Sequence, residues 1–254
     1  MRRFFGFIGS QDDEAFDEMA LAQVSPPTIP LRNEFFSLGF CCEANEKDWC
    51  YVDEDRCLAI VGEVCWPENL GRLPAKKLLN RYRSRGIDFV DELAGQYALF
   101  LRDGNNFFLY RSEENGIAVF HHGGGNRLVF ANSLRFLIAN PHVPKQLRKA
   151  AVGEYFTLGA PLGRKTMLDG IQCLFSGDLL VKRYRHAPRI GPSKKKPAHQ
   201  EPMGSRTDWM ALFRAMVQRC VVDRIPSDGG IGLALSGGPS STSLNKIRTQ
   251  HGSH

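Results

Sequence analysis

Hydrophobic positions form short unbroken blocks over most of this chain and change to helical spacing in a few places. Phe4-Phe5-Gly6-Phe7-Ile8 is apolar on both alternating faces, which predicts a short, fully buried strand. Strand-like runs follow at Phe35 to Cys42 and Cys57 to Val61. From Leu73 to Arg85 the period changes: Leu78, Leu79 and Tyr82 recur at helical spacing among basic residues, which predicts a surface helix. Gly95 to Leu101 and Phe107 to Arg111 flank Asp103-Gly104-Asn105-Asn106, a hairpin signal with glycine and asparagine for the tight turn. A second pair, Ile117 to His121 and Leu128 to Ala131, flanks Gly123-Gly124-Gly125-Asn126. Helices are predicted from Leu134 to Ala139, ending before Pro141, and from Ala150 to Thr157; Leu174 to Val181 holds a last strand.

The composition then shifts. Between His186 and Ser205, Pro188, Pro192, Pro197 and Pro202 sit among Lys, Gly and Ser, as in a linker. Beyond it, Trp209 to Val222 is helical in spacing, and Ile231 to Leu235 reads as a buried strand. That strand enters Ser236-Gly237-Gly238-Pro239-Ser240-Ser241. Glycines permit a sharp turn, and several N–H groups at a following helix N-terminus can converge on an anion. The loop lacks the lysine of the Walker pattern and is closer to S-G-G-x-D-S. The reading divides the chain into residues 1–185, a linker at 186–205, and a nucleotide-binding start at 206–254.

Charge and cysteines narrow the classes. Apolar residues make up 43% and charged residues 24%, which fits a globular protein with a real core, and the net charge is +6. The basic excess is local, at Lys76-Lys77, Arg81, Arg83 and Arg85, and Lys194-Lys195-Lys196; no aromatic interleaving suggests base stacking, so no nucleic-acid partner is expected. The 7 cysteines include no C-x-x-C pair and no zinc-ligand spacing. Reduced, half-buried thiols and a cytoplasmic location are expected. The apolar start is too short for a leader peptide, and no run reaches the roughly 18 to 20 residues of a membrane helix, so no membrane partner is expected.

Four segments in order give the chain a family likeness. They are Val61-Gly62-Glu63-Val64-Cys65, Arg111-Ser112-Glu113-Glu114-Asn115-Gly116-Ile117, Val129-Phe130-Ala131-Asn132-Ser133-Leu134, and Glu154 to Gly159 with Thr166 to Ile171 and Ser176-Gly177. With the Ser-Gly-Gly loop they resemble the N-terminal half of the asparagine synthetase family. The resemblance implies an α+β chain: a four-layer αββα sandwich of the N-terminal-nucleophile type, then the start of a parallel α/β ATP-pyrophosphatase domain. In that family the first domain frees ammonia from glutamine and the second activates a carboxylate as an acyl-adenylate, with ATP and Mg²⁺ as cofactors.

Departures from the family pattern shape the expected chemistry. The family's glutaminase uses an N-terminal Cys as nucleophile and its own amine as base; here Met1 is followed by Arg2. Val61 stands where the family has an oxyanion-holding Asn, and Leu73-Pro74-Ala75-Lys76-Lys77 replaces its S-D element. Val61, Gly62 and Glu63 are therefore read as a degenerate glutamine pocket, with no catalytic residue assigned. Members without the Cys resemble β-lactam synthetase and lasso-peptide macrolactam cyclases, where a substrate amine attacks the adenylate. The resemblance assigns pyrophosphate to Leu235, Ser236, Gly237, Gly238, Ser240 and Ser241. Ser240 replaces the Asp expected to help hold Mg²⁺, a poor exchange. The sequence thus predicts part of an ATP-dependent ligase acting on a carboxylate or peptide, with a partner protein or homodimer allowed. The chain also reads as incomplete, and inactive by itself. The alternatives are a glutamine-dependent asparagine synthetase and a non-catalytic binding domain.

Overall fold

The computed structural model describes residues 2–9, 13–22, 29–41, 48–66, 73–114, 117–193, 205–222 and 232–251. The chain divides into two compact units, residues 1–67 with 72–195, and residues 68–71 with 196–254. Each is described by itself.

In the first unit, β1 (Arg3–Ile8) is followed by α1 (Asp13–Leu21), β2 (Ile29–Asn33), β3 (Phe36–Cys41), β4 (Cys50–Asp53) and β5 (Arg56–Gly62). Then come α2 (Ala75–Arg85), a 3₁₀ segment (Gly86–Glu92), β6 (Tyr97–Asp103), β7 (Asn106–Arg111), β8 (Phe120–Gly124) and β9 (Arg127–Ala131). The unit ends with α3 (Leu134–Ala139), α4 (Lys149–Leu158), β10 (Ile171–Cys173), β11 (Asp178–Arg183) and β12 (Arg189–Pro192). The strands form two six-stranded sheets, in the orders β10-β8-β9-β1-β3-β2 and β12-β11-β7-β6-β5-β4. Every strand pair in them is antiparallel.

Three apolar clusters set the layering. One, including Phe4, Leu38, Phe40, Val61, Phe100 and Phe130, fills the space between the sheets. Another lies under α2 and the 3₁₀ segment, where Leu78, Leu79, Phe89 and Val90 pack on Leu58, Leu99 and Tyr97. The third joins Phe16 and Met19 of α1 and Phe136 and Leu137 of α3 to Phe5, Phe7 and Val129. The order is helix, sheet, sheet, helix. Phe5 and Phe4, neighbours in one strand, thereby serve opposite faces of the same sheet, as a period of two requires. Gly39 faces Phe5 across β1 and β3; a Cβ there would sit 2.2 Å from the ring, so glycine lets the phenyl group lie over the strand.

The expected strands, hairpins and helices of this unit appear within a residue or a few of their expected limits. The first hairpin closes with Asp103 opposite Asn106, leaving Gly104-Asn105 as its two-residue turn. Elements beyond the expectation are α1, β2, β4, β10 and β12. The last falls in the stretch read as linker: Arg189 to Pro192 pair with Val181 to Asp178 and extend the sheet by one strand. The three arginines of α2 are paired: Glu92 receives Arg81 at 2.6 Å and Arg85 at 3.0 Å, and Arg83 pairs with Asp53. Lys194 to Lys196 lie outside the described residues.

The second unit holds α5 (Arg206–Val222) and α6 (Pro239–His251). A reciprocal cap starts α5: the Asp208 carboxylate accepts from the Ser205 hydroxyl at 2.7 Å and amide at 3.0 Å, and the Ser205 hydroxyl accepts from the Asp208 amide at 3.3 Å. The buried strand expected at Ile231 to Leu235 is corrected here. Ile231 lies outside the described residues, Gly232 to Leu235 carry no strand, and Leu235 is 60% exposed. A strand needs a neighbour to take its backbone groups, and among the described residues none pairs with this segment.

Candidate functional site

One end of the sandwich gathers the residues read as a glutamine pocket. There β1 begins, while β5, β7 and β9 end and β6 begins. Asn132 locks β1 to β9: its side-chain carbonyl accepts the Phe4 amide at 2.9 Å, and its own amide donates to the Phe4 carbonyl at 3.1 Å. Arg2, just before β1, is buried, and its guanidinium donates to the Gly62 carbonyl at 3.3 Å. The structure thus brings Arg2 and Gly62 together across 60 positions of sequence. Gly62 has φ +100°, and a Cβ would lie 2.1 Å from the Gln96 carbonyl, so both the turn and the close approach require glycine. Glu63 donates its amide to that same carbonyl at 3.0 Å, and its side chain is exposed.

The Val61 side chain is directed into the core. It is 5% exposed, packs in the cluster between the sheets and has no side-chain donor. Polar closure of this end comes from other groups. The Ser112 hydroxyl accepts the Tyr97 amide at 3.0 Å and donates to the Glu114 carbonyl at 3.1 Å, and the Glu114 carboxylate accepts the Gly95 amide at 3.2 Å.

Two of the described thiols are shifted away from nucleophilic character. The described cysteines, Cys41, Cys50, Cys57, Cys65, Cys173 and Cys220, form no disulfide with one another. A hydrogen bond with Cys50, helped by burial, pushes the Cys57 thiol well above its usual range, and burial pushes Cys173 up as well. A nucleophilic thiol needs the opposite shift. Cys42 lies outside the described residues.

Near β8 and β11 the unit holds a buried polar group that sequence reading missed. His121 is 4% exposed, and neither ring nitrogen has a hydrogen-bond partner. Burial, then the nearby Arg164 and His122 charges, lower its pKa from 6.5 to about 4, against an opposing pull from Asp178. Asp178 is engaged by Arg164 through both guanidinium Nη2 at 2.7 Å and Nε at 2.9 Å, and accepts the Phe175 amide at 2.7 Å. His121 is neutral at pH 7; its signal in the sequence was a histidine in an apolar strand, which does not reveal whether a partner waits across the core.

In the second unit, Ser236 to Ser241 form the turn into α6. Gly237 has φ +78°, and Pro239 takes the first helical position, where it has no amide to lose to the helix. The Ser236 and Ser241 hydroxyls lie 3.2 Å apart, and Ser236 Oγ accepts the Gly238 amide at 3.4 Å. Ser241 and Thr242 hydroxyls both return to the Gly238 carbonyl, at 3.1 and 3.0 Å. Ser240 is exposed and lines an apolar groove of about 620 Å³ with Phe213, Val217 and Leu244. The hydroxyls and N-terminal amides suit an anion such as pyrophosphate. They do not suit Mg²⁺: among the described residues no group of three His, Cys, Asp or Glu side chains could hold a metal, and the loop itself has no carboxylate.

Among solved structures, the glutamine phosphoribosylpyrophosphate amidotransferase from B. subtilis, complexed with ADP and GMP, aligns with 76% of this chain and 50% of its own, at 11% identity and a TM-score of 0.45. A glutamine aminotransferase class-II domain protein from Silicibacter pomeroyi aligns with 76% of this chain and 100% of its own, at 12% identity and a TM-score of 0.38. Among curated sequences, asparagine synthetase [glutamine-hydrolyzing] 2 of Bacillus subtilis (strain 168) is 28% identical over 184 residues, 66% of this chain. The match spans 24% of that relative's length. No described helix is long and apolar enough to cross a membrane. Residues 75–189 match the glutamine amidotransferase domain.

Proposed function

We propose that this chain is the amidotransferase-like part of an ATP-dependent amide-forming enzyme that no longer hydrolyses glutamine. The observation that carries the reading is Arg2. It is buried against the Gly62 carbonyl, at the strand end where the family places its nucleophile, while Val61 turns into the core instead of offering a donor. Arginine cannot act as nucleophile, and its permanent charge makes it a poor base. Under this reading the nitrogen comes from an amine on the substrate itself, as in the cyclases and β-lactam synthetase the sequence resembles. A carboxylate or peptide substrate is activated as an adenylate, and Ser236, Gly237, Gly238, Ser240 and Ser241 hold the pyrophosphate.

Within this chain the loop is expected to hold ATP only weakly. Its hydroxyls are tied to one another and to Gly238, and Mg²⁺ has no carboxylate there. A binding-only role is a second reading, favoured by Ser240 standing where the resemblance expects an Asp. The test is glutamate release from glutamine, followed for hours with purified protein, beside calorimetric titration of ATP. No glutamate above buffer is expected, and ATP affinity weaker than about 10 μM, or roughly 7 kcal/mol. Thiol-sensitive glutamate release would refute the loss of glutaminase chemistry. Tight ATP binding with pyrophosphate exchange would leave the ligase reading standing and remove the binding-only one.

A further inference from the structure

The hairpin of β4 and β5 sets two thiols on one face. Cys50 stands opposite Ala59, and Val52 opposite Cys57. The Trp49 carbonyl accepts the Ile60 amide at 2.8 Å, so both of those pairs are of the non-hydrogen-bonded kind, in which side chains stand closest. Cys50 and Cys57 therefore lie diagonally on the same face, and both belong to the cluster between the sheets. Their thiols are hydrogen-bonded to each other. Cys57 is wholly buried, whereas Cys50 is 9% exposed and sits on the edge strand of its sheet. On the far side of Cys57, Arg102 of β6 stands opposite it in register. The Arg102 guanidinium lies over the Phe36 ring at 4.4 Å and donates to the Gly104 carbonyl at 3.0 Å, close enough for its charge to favour a Cys57 thiolate.

We infer that Cys50 and Cys57 are a redox pair, joined as a disulfide by a low-molecular-weight disulfide such as oxidised glutathione. The Cys50 thiolate attacks one sulfur of the reagent, forms a mixed disulfide and expels the first thiolate. The Cys57 thiolate then attacks Cys50 Sγ, forms the protein disulfide and expels the second. The two cysteine protons end on the two released thiols, which are the reduced form of the reagent. The order follows from the surroundings. Cys50 is the nearer to solvent. Cys57 holds its proton through its bond to Cys50 and through burial. Once Cys50 carries the reagent it bears no charge, that hold is released, and Arg102 remains to favour the second thiolate. Diagonal partners stand roughly 7–8 Å apart, beyond the usual span of a disulfide, so the strands must draw together. The strand that moves is β4, 4 residues long at the sheet edge. Asp48, two residues before Cys50, accepts the Ala75 amide at 2.7 Å, so fastening β4 also steadies the start of α2.

The test incubates the full chain with oxidised glutathione, caps the remaining thiols with iodoacetamide and cuts with trypsin. Cys50 and Cys57 fall in separate peptides, residues 48–56 and 57–72. At about 1 mM reagent and about pH 8, more than half of the chains are expected to yield the two peptides linked within about a few hours. Fragmentation spectra separate Cys57 from Cys65, which shares its peptide. Cys57→Ser should stop at glutathione on Cys50, and Cys50→Ser should leave Cys57 unmodified. In the linked parent, amide exchange over residues 50–53 should slow at least about fivefold and recover when dithiothreitol is added. A parent that stays unlinked, links only in urea, or joins Cys57 to another cysteine overturns the inference. Glutathione found on Cys57 before Cys50 does so too.

Discussion

The two units spend similar apolar side chains to opposite effect. In the sandwich, Phe100 is wholly buried, stacked on Phe130 at 5.3 Å and flanked by Phe40 at 5.9 Å and Phe4 at 6.4 Å. In α5, Phe213 is 62% exposed, and Leu235 before α6 is 60% exposed. Propensity and spacing suffice to write a helix, but burial requires a second layer. The sandwich supplies that layer to itself on both faces of both sheets, whereas two helices and a turn do not.

Substitutions can break this contrast. Phe100→Ala should cost about 3–5 kcal/mol in urea unfolding, because it removes one ring of a stack closed on every side. A loss near 1 kcal/mol would mean that the space between the sheets is loosely filled. Acid should act next. His121 has a folded pKa of about 4 against 6.5 when free, so its stability contribution is full above about pH 6.5 and is lost as pH falls toward 4. At about 1.36 kcal/mol per unit the loss approaches roughly 3 kcal/mol. His121→Leu should flatten the unfolding midpoint between pH 7 and 4 relative to the parent; identical slopes would show that the ring is protonated in the folded state.

Arg164→Ala should cost about 2 kcal/mol at pH 7, since it leaves the buried Asp178 carboxylate with only the Phe175 amide. The guanidinium is partly exposed, which keeps the figure below that of a fully buried pair. Smallest of all, Phe213→Ala should shift stability by no more than about 0.5 kcal/mol in urea unfolding. A cost like that of Phe100 would mean that α5 is packed in solution and that the two units are alike after all.

What the sequence disclosed follows the range of the forces that act. The Asp103 to Asn106 turn, the helix from Leu73 and the strand at Phe4 were legible because glycine, period and apolar runs are local signals. The Ser205 and Asp208 cap rests on a local signal too, a Ser-x-x-Asp spacing. The short β4 and α1 were obscured: Cys50 to Asp53 is only 4 residues long, and α1 buries just Ala15, Phe16 and Met19, set among acids. Sheet order, the contact of Arg2 with Gly62 and the isolation of His121 depend on partners far along the chain. Ile231 to Leu235 shows the converse, since an apolar run signals a wish for burial and cannot supply the neighbour.

The central position of β1 has a consequence in time. Its two flanks are β3, made soon after it, and β9, whose following residue Asn132 bonds Phe4 across 128 positions. At roughly 5–20 residues per second, a ribosome needs about 6–25 s to deliver that second flank. For that interval an apolar strand with one open edge must wait, so the nascent chain depends on chaperones or on slow, late closure of the sheet.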